Sequence, residues 1–371
     1  MTTDALTYRI AFASITGMGV DTAKKLLEAV GGEQAFFEMS EQQLRSLTCG
    51  GKSKVYSDSY RWQQLEKARR EREFIEKHHV QTHYFTQTTY PQRLLEATDA
   101  PCMLFTIGSC DLNARHIISI VGTRHATQYG IALCNDIVRD LAARLPQAVV
   151  VSGLAYGIDI AAHRACLKHH LPTIAVMARG LNRIYPAHHR NDAASIARQG
   201  GMLVTDYLSS DELRRWNFLA RNRIIAALAD CTVVVESASS GGALVTASLA
   251  QSYNRDVMAL PGRVSDEFSR GCNNLIAAQK ALSILSADDL IRAMNWEDDT
   301  LTKAPVQQEI FPSLSGEEQK IVDMLRDKGD CHINTLATAL HLPIYRVMDA
   351  LVELECRSLV LCLPGSRYAL H

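Results

Sequence analysis

The sequence predicts an α/β protein: a doubly wound parallel sheet with helices on both faces, preceded by a small helical domain and followed by a winged helix. Three observations predict it. Between residues 85 and 295, short apolar runs alternate with helical stretches, the pattern of a parallel sheet covered on both sides. Residues 1–84 carry their apolar side chains at helical spacing, and residues 316–371 read as three helices closed by a hairpin.

In the first region, Lys24 to Val30 has helical periodicity and follows Ile15-Thr-Gly17-Met-Gly19. That word matches a helix-hairpin-helix, whose glycine amides can touch a phosphate, and equally a plain αα-hairpin punctuated by glycine. Lys67 to Lys77 mixes both charge signs and reads as a solvated helix face. Gly51-Lys52-Ser53 looks like the end of a P-loop, but the glycine required five residues earlier is Ser46, so ATP binding is rejected there.

In the central region the expected strands are 117–121, 148–151, 173–177, 202–205, 232–235 and 257–260. Helices are expected at 158–169, 221–229 and 244–253. The glycine-rich turns (Gly122, Gly153, Gly157, Gly241-Gly242, and Pro261-Gly262 with Gly271) all fall at or after strand ends. Ligands of open α/β sheets bind beyond the carboxyl ends of the strands, so the turns point to one shared crevice. A strand that ends on glycine and opens a helix leaves unpaired N–H groups and a positive dipole end, which favour an anion.

Residues 296–315 are polar and aperiodic and read as a linker. The last domain has helices expected at 317–325, from His332-Ile333 onward, and at 344–355, with Leu359–Leu361 and Arg367–Leu370 flanking Pro364-Gly365-Ser366 as the hairpin. Its third helix carries Arg346 against Asp349, Glu353 and Glu355. So acidic a helix is a poor reader of DNA phosphates, which favours a protein-contact role.

Composition excludes several classes. With 47% apolar and 21% charged residues and a net charge of -1, the 371-residue chain exerts little long-range pull on a polyanion. A nucleic-acid partner must then meet a local basic patch. Between residues 179 and 223 the arginines are 179, 183, 190, 198, 214, 215, 221 and 223, against Asp192, Asp206, Asp211 and Glu212. The ten cysteines include no C-x-x-C pair, which argues against a zinc ribbon or disulfide framework and for a reducing compartment. Without a signal peptide or an apolar run of roughly 18 residues, the expectation is a cytoplasmic protein with no membrane partner.

Outside that stretch, Arg124 follows a strand end, where it would add a charge-assisted bond to a phosphate or pair with a carboxylate. Trp216 and Phe218 lie among arginines and read either as base-stacking rings or as anchors of their loop. Asp159 and His163, at i and i+4, read as a local structural hydrogen bond or as a general-base pair. No nucleophile, second carboxylate or metal cluster accompanies them in the sequence.

Taken in order, several words resemble one family: Val121-Gly-Thr-Arg124 with Tyr129-Gly130, Ser152-Gly-Leu-Ala-Tyr-Gly-Ile-Asp159 with His163, and Tyr185-Pro186 with His189. Arg221-Asn-Arg-Ile-Ile225, Val233-Val-Val-Glu236 with Leu244-Val-Thr246-Ala247, and Pro261-Gly262 with Asn273-x-Leu275-Ile276 complete the series. The chain is similar to the DprA/Smf family, the DNA-processing proteins of natural transformation, over residues 85–285. The resemblance implies an extended Rossmann-like domain that binds single-stranded DNA, a helical SAM-like N-terminal domain and a C-terminal winged helix. It further implies homodimerisation, loading of the RecA recombinase, and no cofactor. The residues it and the turns nominate for DNA or phosphate are Gly122, Thr123, Arg124, Ser152, Gly153, Gly157, Ile158, Phe218, Arg221, Asn222, Arg223, Gly241, Gly242, Thr246 and Asn273, with none catalytic and none metal-binding.

The chain departs from the family pattern in places. Phe218-Leu-Ala-Arg-Asn-Arg223 stands for F-P-R-R-N-R, Gly241-Gly-Ala-Leu-Val-Thr-Ala247 for S-G-S-L-x-T-A, Met177-Ala-Arg-Gly180 for L-G-x-G, and Gly271-Cys-Asn273 for G-T-N. Backbone amides survive these changes and some side-chain hydrogen bonds do not. The competing expectation is a nucleotide-processing enzyme similar to the phosphoribohydrolases, although their P-G-G-x-G-T signature is missing. A dinucleotide-dependent oxidoreductase is discounted because G-x-G-x-x-G is absent.

Overall fold

The computed structural model describes residues 3–47, 54–297, 314–357, 359–363 and 366–370. Most of the expected linker, Gly51-Lys52-Ser53 and part of the C-terminal hairpin turn lie outside the described residues. Two compact units are present, Met1–Leu301 and Thr302–His371.

The first unit opens with helices α1 (Thr3–Ala13), α2 (Val20–Val30), α3 (Glu33–Glu38), α4 (Glu41–Leu47) and α5 (Asp58–His78). Strand β1 (Gln81–Tyr84), short helix α6 (Gln92–Leu95) and β2 (Met103–Gly108) follow. The repeating part then runs β3 (Ile117–Val121), α7 (Gln128–Arg144), β4 (Val149–Ser152), α8 (Ile158–His169), β5 (Thr173–Val176), α9 (Arg190–Arg198) and β6 (Met202–Thr205). It continues with α10 (Asn217–Leu228), β7 (Cys231–Val234), α11 (Gly242–Ser252), β8 (Asp256–Ala259), α12 (Arg270–Ala277), β9 (Leu282–Ser283) and α13 (Ala287–Ala293).

The strands form one sheet in the order β1-β2-β6-β5-β4-β3-β7-β8-β9. From β6 to β9 all neighbours are parallel, while β1–β2 and β2–β6 are antiparallel. Side-chain alternation on β3 assigns the two faces. Ile117 and Val121 join the core under α10, α11 and the N-terminal helices, whereas Ile118 and Ile120 join the core under α7, α8 and α13. From β3 the chain winds outward through β4, β5 and β6, then returns to β7 on the other side. The carboxyl ends of β3 and β7 therefore flank the switch point where an open α/β sheet gathers its ligand.

Strands β1 and β2 were not among the expected elements, and β1 moves the boundary drawn at residue 84. It belongs to the sheet, and Ile10, Phe12 and Phe36 of the helical region share one core with Tyr84 and Leu104. The charged run in α5 is not uniformly solvated either. Glu71 is buried and accepts hydrogen bonds from the Ser209 amide (2.7 Å) and hydroxyl (2.5 Å).

The second unit has α14 (Gly316–Lys328), β10 (Cys331–His332), α15 (Ile333–Leu340), α16 (Ile344–Cys356), β11 (Val360–Leu363) and β12 (Arg367–Leu370). Its three strands pair antiparallel in the order β10-β12-β11 over a core of Ile321, Leu325, Leu336, Val347, Leu351 and Leu354. A capping box at Ser315 and Glu318 starts α14. Among the described residues no helix is long and apolar enough to cross a membrane.

Candidate nucleic-acid interface

Two turns anticipated as anion sites meet at the switch point, and they are not equivalent. After β3, the Thr123 amide donates to the Glu236 carbonyl (2.7 Å), and the Thr123 carbonyl accepts from the Ile158 amide (3.1 Å). This lashes the start of α8 to the first turn. Gly157 makes the approach feasible: its φ is +77°, and a Cβ there would collide with the Thr123 carbonyl. The second turn carries its own anion. Asp159, buried in the first turn of α8, accepts from the Ala155 amide, so the place reserved for a phosphate holds a carboxylate of the chain itself. Burial raises the Asp159 pKa, and the charges of Arg221 and Arg124 oppose that rise.

Arg221 explains why Gly153 must be bare. The guanidinium is buried, donates to the carbonyls of Gly153 (2.5 Å) and Val176, and lies 2.6 Å from where a Gly153 Cβ would stand. Arg221 is therefore not part of an exposed basic patch, because its donors are spent closing β4 against β5. Arg223 departs from expectation too. It pairs with Asp206 (2.5 Å) and donates to the Asp99 carbonyl, on a different face of α10. Ser152 donates to the Ile120 carbonyl (2.6 Å) beneath the turn. Ser152, Gly153, Gly157, Ile158 and Arg221 thus form the scaffold of the crevice.

The open side belongs to β3 and α11. A crevice of about 380 Å³ is lined by Gly122, Thr123, Arg124, Asn222, Gly241, Gly242 and Thr246, among others. Helix α11 starts at Gly241 without a side-chain cap. The amides of Gly242 and Ala243 take no acceptor among the described residues, which leaves donors and the dipole's positive end facing the space. Asn222 donates to the Gly242 carbonyl (3.3 Å) and the Thr246 hydroxyl donates to the same atom (3.0 Å), so both aim the turn rather than a ligand. Asn273 brackets Gly262 through its carbonyl (3.0 Å) and amide (3.2 Å) and holds the Pro261-Gly262 loop.

Arg124 is exposed and makes no ion pair among the described residues, against the alternative of a carboxylate partner. Its guanidinium lies 5.2 Å from the centre of the half-buried Phe218 ring. Phe218 contacts Tyr185 (5.4 Å between centroids), and Tyr185 and Tyr156 are both exposed in the cleft beside Arg124. Trp216, 60% exposed, stacks under Arg214 (5.2 Å). Tyr156 and Tyr185 were missing from the sequence-derived site, although both occur inside the words that defined it.

The Asp159–His163 pair does not form. His163 Nδ1 bonds the Thr173 hydroxyl (2.8 Å) in the interior. Burial, then the charge of Arg221, pushes the imidazole pKa down to about 3. The hairpin of Gly17 and Gly19 is committed as well: Gly19 bridges to Pro101 and the Val20 amide donates to the Ala100 carbonyl (3.2 Å).

A family model, DNA recombination-mediator protein A, matches residues 81–295. Protein Smf of Escherichia coli K12 is 34% identical over 280 residues, covering 74% of this chain and 74% of its own. DNA processing protein DprA of Streptococcus pneumoniae R6 is 36% identical over 202 residues, 54% of this chain and 70% of its own. The X-ray structure of DprA from Streptococcus pneumoniae superposes with a TM-score of 0.64 at 27% identity, covering 77% of this chain and 95% of its own. DNA processing protein A of Helicobacter pylori, for which a single-stranded DNA binding mode is described, gives 0.52 at 28% identity over 59% and 96% of the two chains. With a family model over most of the sheet unit and relatives aligned across it, this chain belongs to the DNA recombination-mediator protein A family.

Proposed function

We propose that this protein binds single-stranded DNA across the β3/β7 crevice and acts as a non-enzymatic mediator that delivers the strand to RecA, working as a homodimer in the cytoplasm. The carrying observation is the convergence of the uncapped α11 N-terminus and the unpaired Arg124 guanidinium on one crevice with exposed rings at its mouth. Amides and guanidinium suit a phosphate, and rings suit any base, which gives binding without sequence choice. Binding rather than catalysis is supported by the two residues resembling a general-base pair: each is buried and tied to groups of the fold.

In this reading the N-terminal helices are the SAM-like, helix-hairpin-helix domain, and its hairpin braces the sheet. The C-terminal unit is a winged helix that contacts protein. The exposed side of α16 carries Ile344, Tyr345, Met348 and Val352, while Arg346 is already paired with Glu317 (3.2 Å). An apolar, acidic helix face of that kind fits a protein surface better than a phosphate backbone.

The test is a binding titration of the full chain with single- and double-stranded oligonucleotides of one length at several salt concentrations. Single strands bind more tightly, and log affinity falls with log salt by roughly 0.7 per phosphate neutralised. Arg124→Ala costs about 1.5–3 kcal/mol of affinity while the fold persists. Equal affinity for duplex, or a folded Arg124→Ala protein with unchanged affinity, defeats the reading.

A further inference from the structure

We propose that Arg179 and Arg183, on the loop after β5, form a second phosphate seat next to Arg124, so that a bound strand crosses the Tyr156, Tyr185 and Phe218 rings between two anchored phosphates. The proposal rests on the single-strand reading above and assigns the next contact along the strand.

Arg179 lines the same cleft as Arg124, Tyr156, Tyr185 and Phe218. Several arginines of the region are spent: Arg164 on Asp192 (3.0 Å), Arg214 on Glu212 (3.4 Å), Arg223 on Asp206 (2.5 Å) and Arg221 on backbone carbonyls. Neither Arg179 nor Arg183 makes an ion pair or hydrogen bond among the described residues, and Arg179 Nε is buried without any acceptor. Burial and the neighbouring Arg183 guanidinium both pull the Arg179 pKa below its ordinary value. A half-buried guanidinium with a covered, unanswered donor and a second, exposed guanidinium beside it are unfavourable until an anion sits between them. Planar guanidinium groups fit the tetrahedral oxygens of a phosphate, and the flanking rings fit the attached base. A carboxylate of the fold would serve electrostatically, yet Asp192, Asp206 and Glu212 already hold other arginines, and Asp211 accepts from the Leu208 amide (2.9 Å).

The experiment compares the full chain with Arg179→Gln, Arg183→Gln and the double variant, by fluorescence anisotropy on a labelled twelve-nucleotide oligo(dT) across a salt series and by thermal unfolding. Each single change weakens binding roughly tenfold or more, and the double variant loses about 0.7 from the salt slope, one phosphate. The melting temperature of Arg183→Gln stays at or above that of the parent, since a repulsion has been removed. Unchanged affinity and slope overturn the proposal, as does a loss of affinity that merely tracks a fall in stability. Should the parent itself not bind the oligonucleotide, the strand reading fails, and inorganic pyrophosphate then tests the seat alone. A thermal shift present in the parent and absent in the double variant supports the anion seat, and equal or absent shifts in both overturn it.

Discussion

At the scale of single residues, the same side-chain type takes opposite parts depending on what the fold brings to it. Arg124 and Arg221 both stood as phosphate ligands in the sequence, and of the two only Arg124 has no ion pair or hydrogen bond among the described residues. Arg221 meets carbonyls 68 and 45 residues away in sequence, and no local pattern announces such partners. His163 carries a consequence measurable without DNA. The Thr173 hydroxyl donates to the Val150 carbonyl (2.8 Å), so it accepts from His163 Nδ1, and Nε2 is buried without a partner. The imidazole is kept neutral, with its pKa pushed from 6.5 to about 3. Between those values the unfolded chain binds a proton that the fold refuses, so this contribution is intact above pH 6.5 and is lost as pH falls toward 3. Burial raises the carboxyl groups of Glu71, Asp159 and Asp211 and tilts their contributions the other way. The comparison must therefore be against His163→Gln. In urea unfolding the parent loses about 1 kcal/mol more than the variant between pH 7 and pH 5.5, and parallel pH profiles would show that His163 does not titrate as its surroundings require.

At the scale of elements, the sequence was legible wherever a strand and its helix are neighbours. Helix α8 occupies the expected residues, and β3 and β6 do as well, because continuous β-branched runs and the glycine turns after them are local signals. Strand β1, Gln81 to Tyr84, has only two buried residues, too few for a periodicity to show. The site was half legible for a related reason. Glycine placed the turns correctly, but whether a turn is vacant depends on a carboxylate such as Asp159 folding back into it. The vacancy at α11 makes a prediction of its own. A Cβ on Gly242 would meet nothing closer than Asn222 Nδ2 at 3.7 Å, so Gly242→Asp fits. A carboxylate in the first turn complements the dipole and should stabilise the helix by about 0.3–1 kcal/mol. It also fills the anion position, so single-strand affinity should drop by roughly tenfold or more. Melting temperature and Kd should move in opposite senses. A stabilised variant that keeps its affinity would remove the α11 N-terminus from the interface.

For the whole molecule, the decisive point is that the crevice, its scaffold and its rings all lie within Met1–Leu301. The C-terminal unit closes its own core with Ile321, Leu325, Leu336, Val347, Leu351 and Leu354, none of which belongs to the clusters of the sheet unit. Exposed Ile344, Tyr345, Met348 and Val352 on α16 remain beyond that core, and Asp349 and Glu355 beside them make no ion pair among the described residues. A polyanion approaching this face meets negative charge and apolar surface, with Arg346 already bound to Glu317. A chain ending near Ser313 should accordingly remain folded, keep the melting transition of the sheet unit and retain most of its single-strand affinity. What it should lose is a protein contact, together with any function that depends on that contact. The measurement is the Kd for a labelled oligonucleotide, taken on the truncated and full chains at one salt concentration, with circular dichroism and sedimentation to establish fold and assembly state. A truncated protein that stays folded and assembled yet binds more than about tenfold more weakly, some 1.4 kcal/mol, would make the C-terminal unit a DNA reader despite its acidic face.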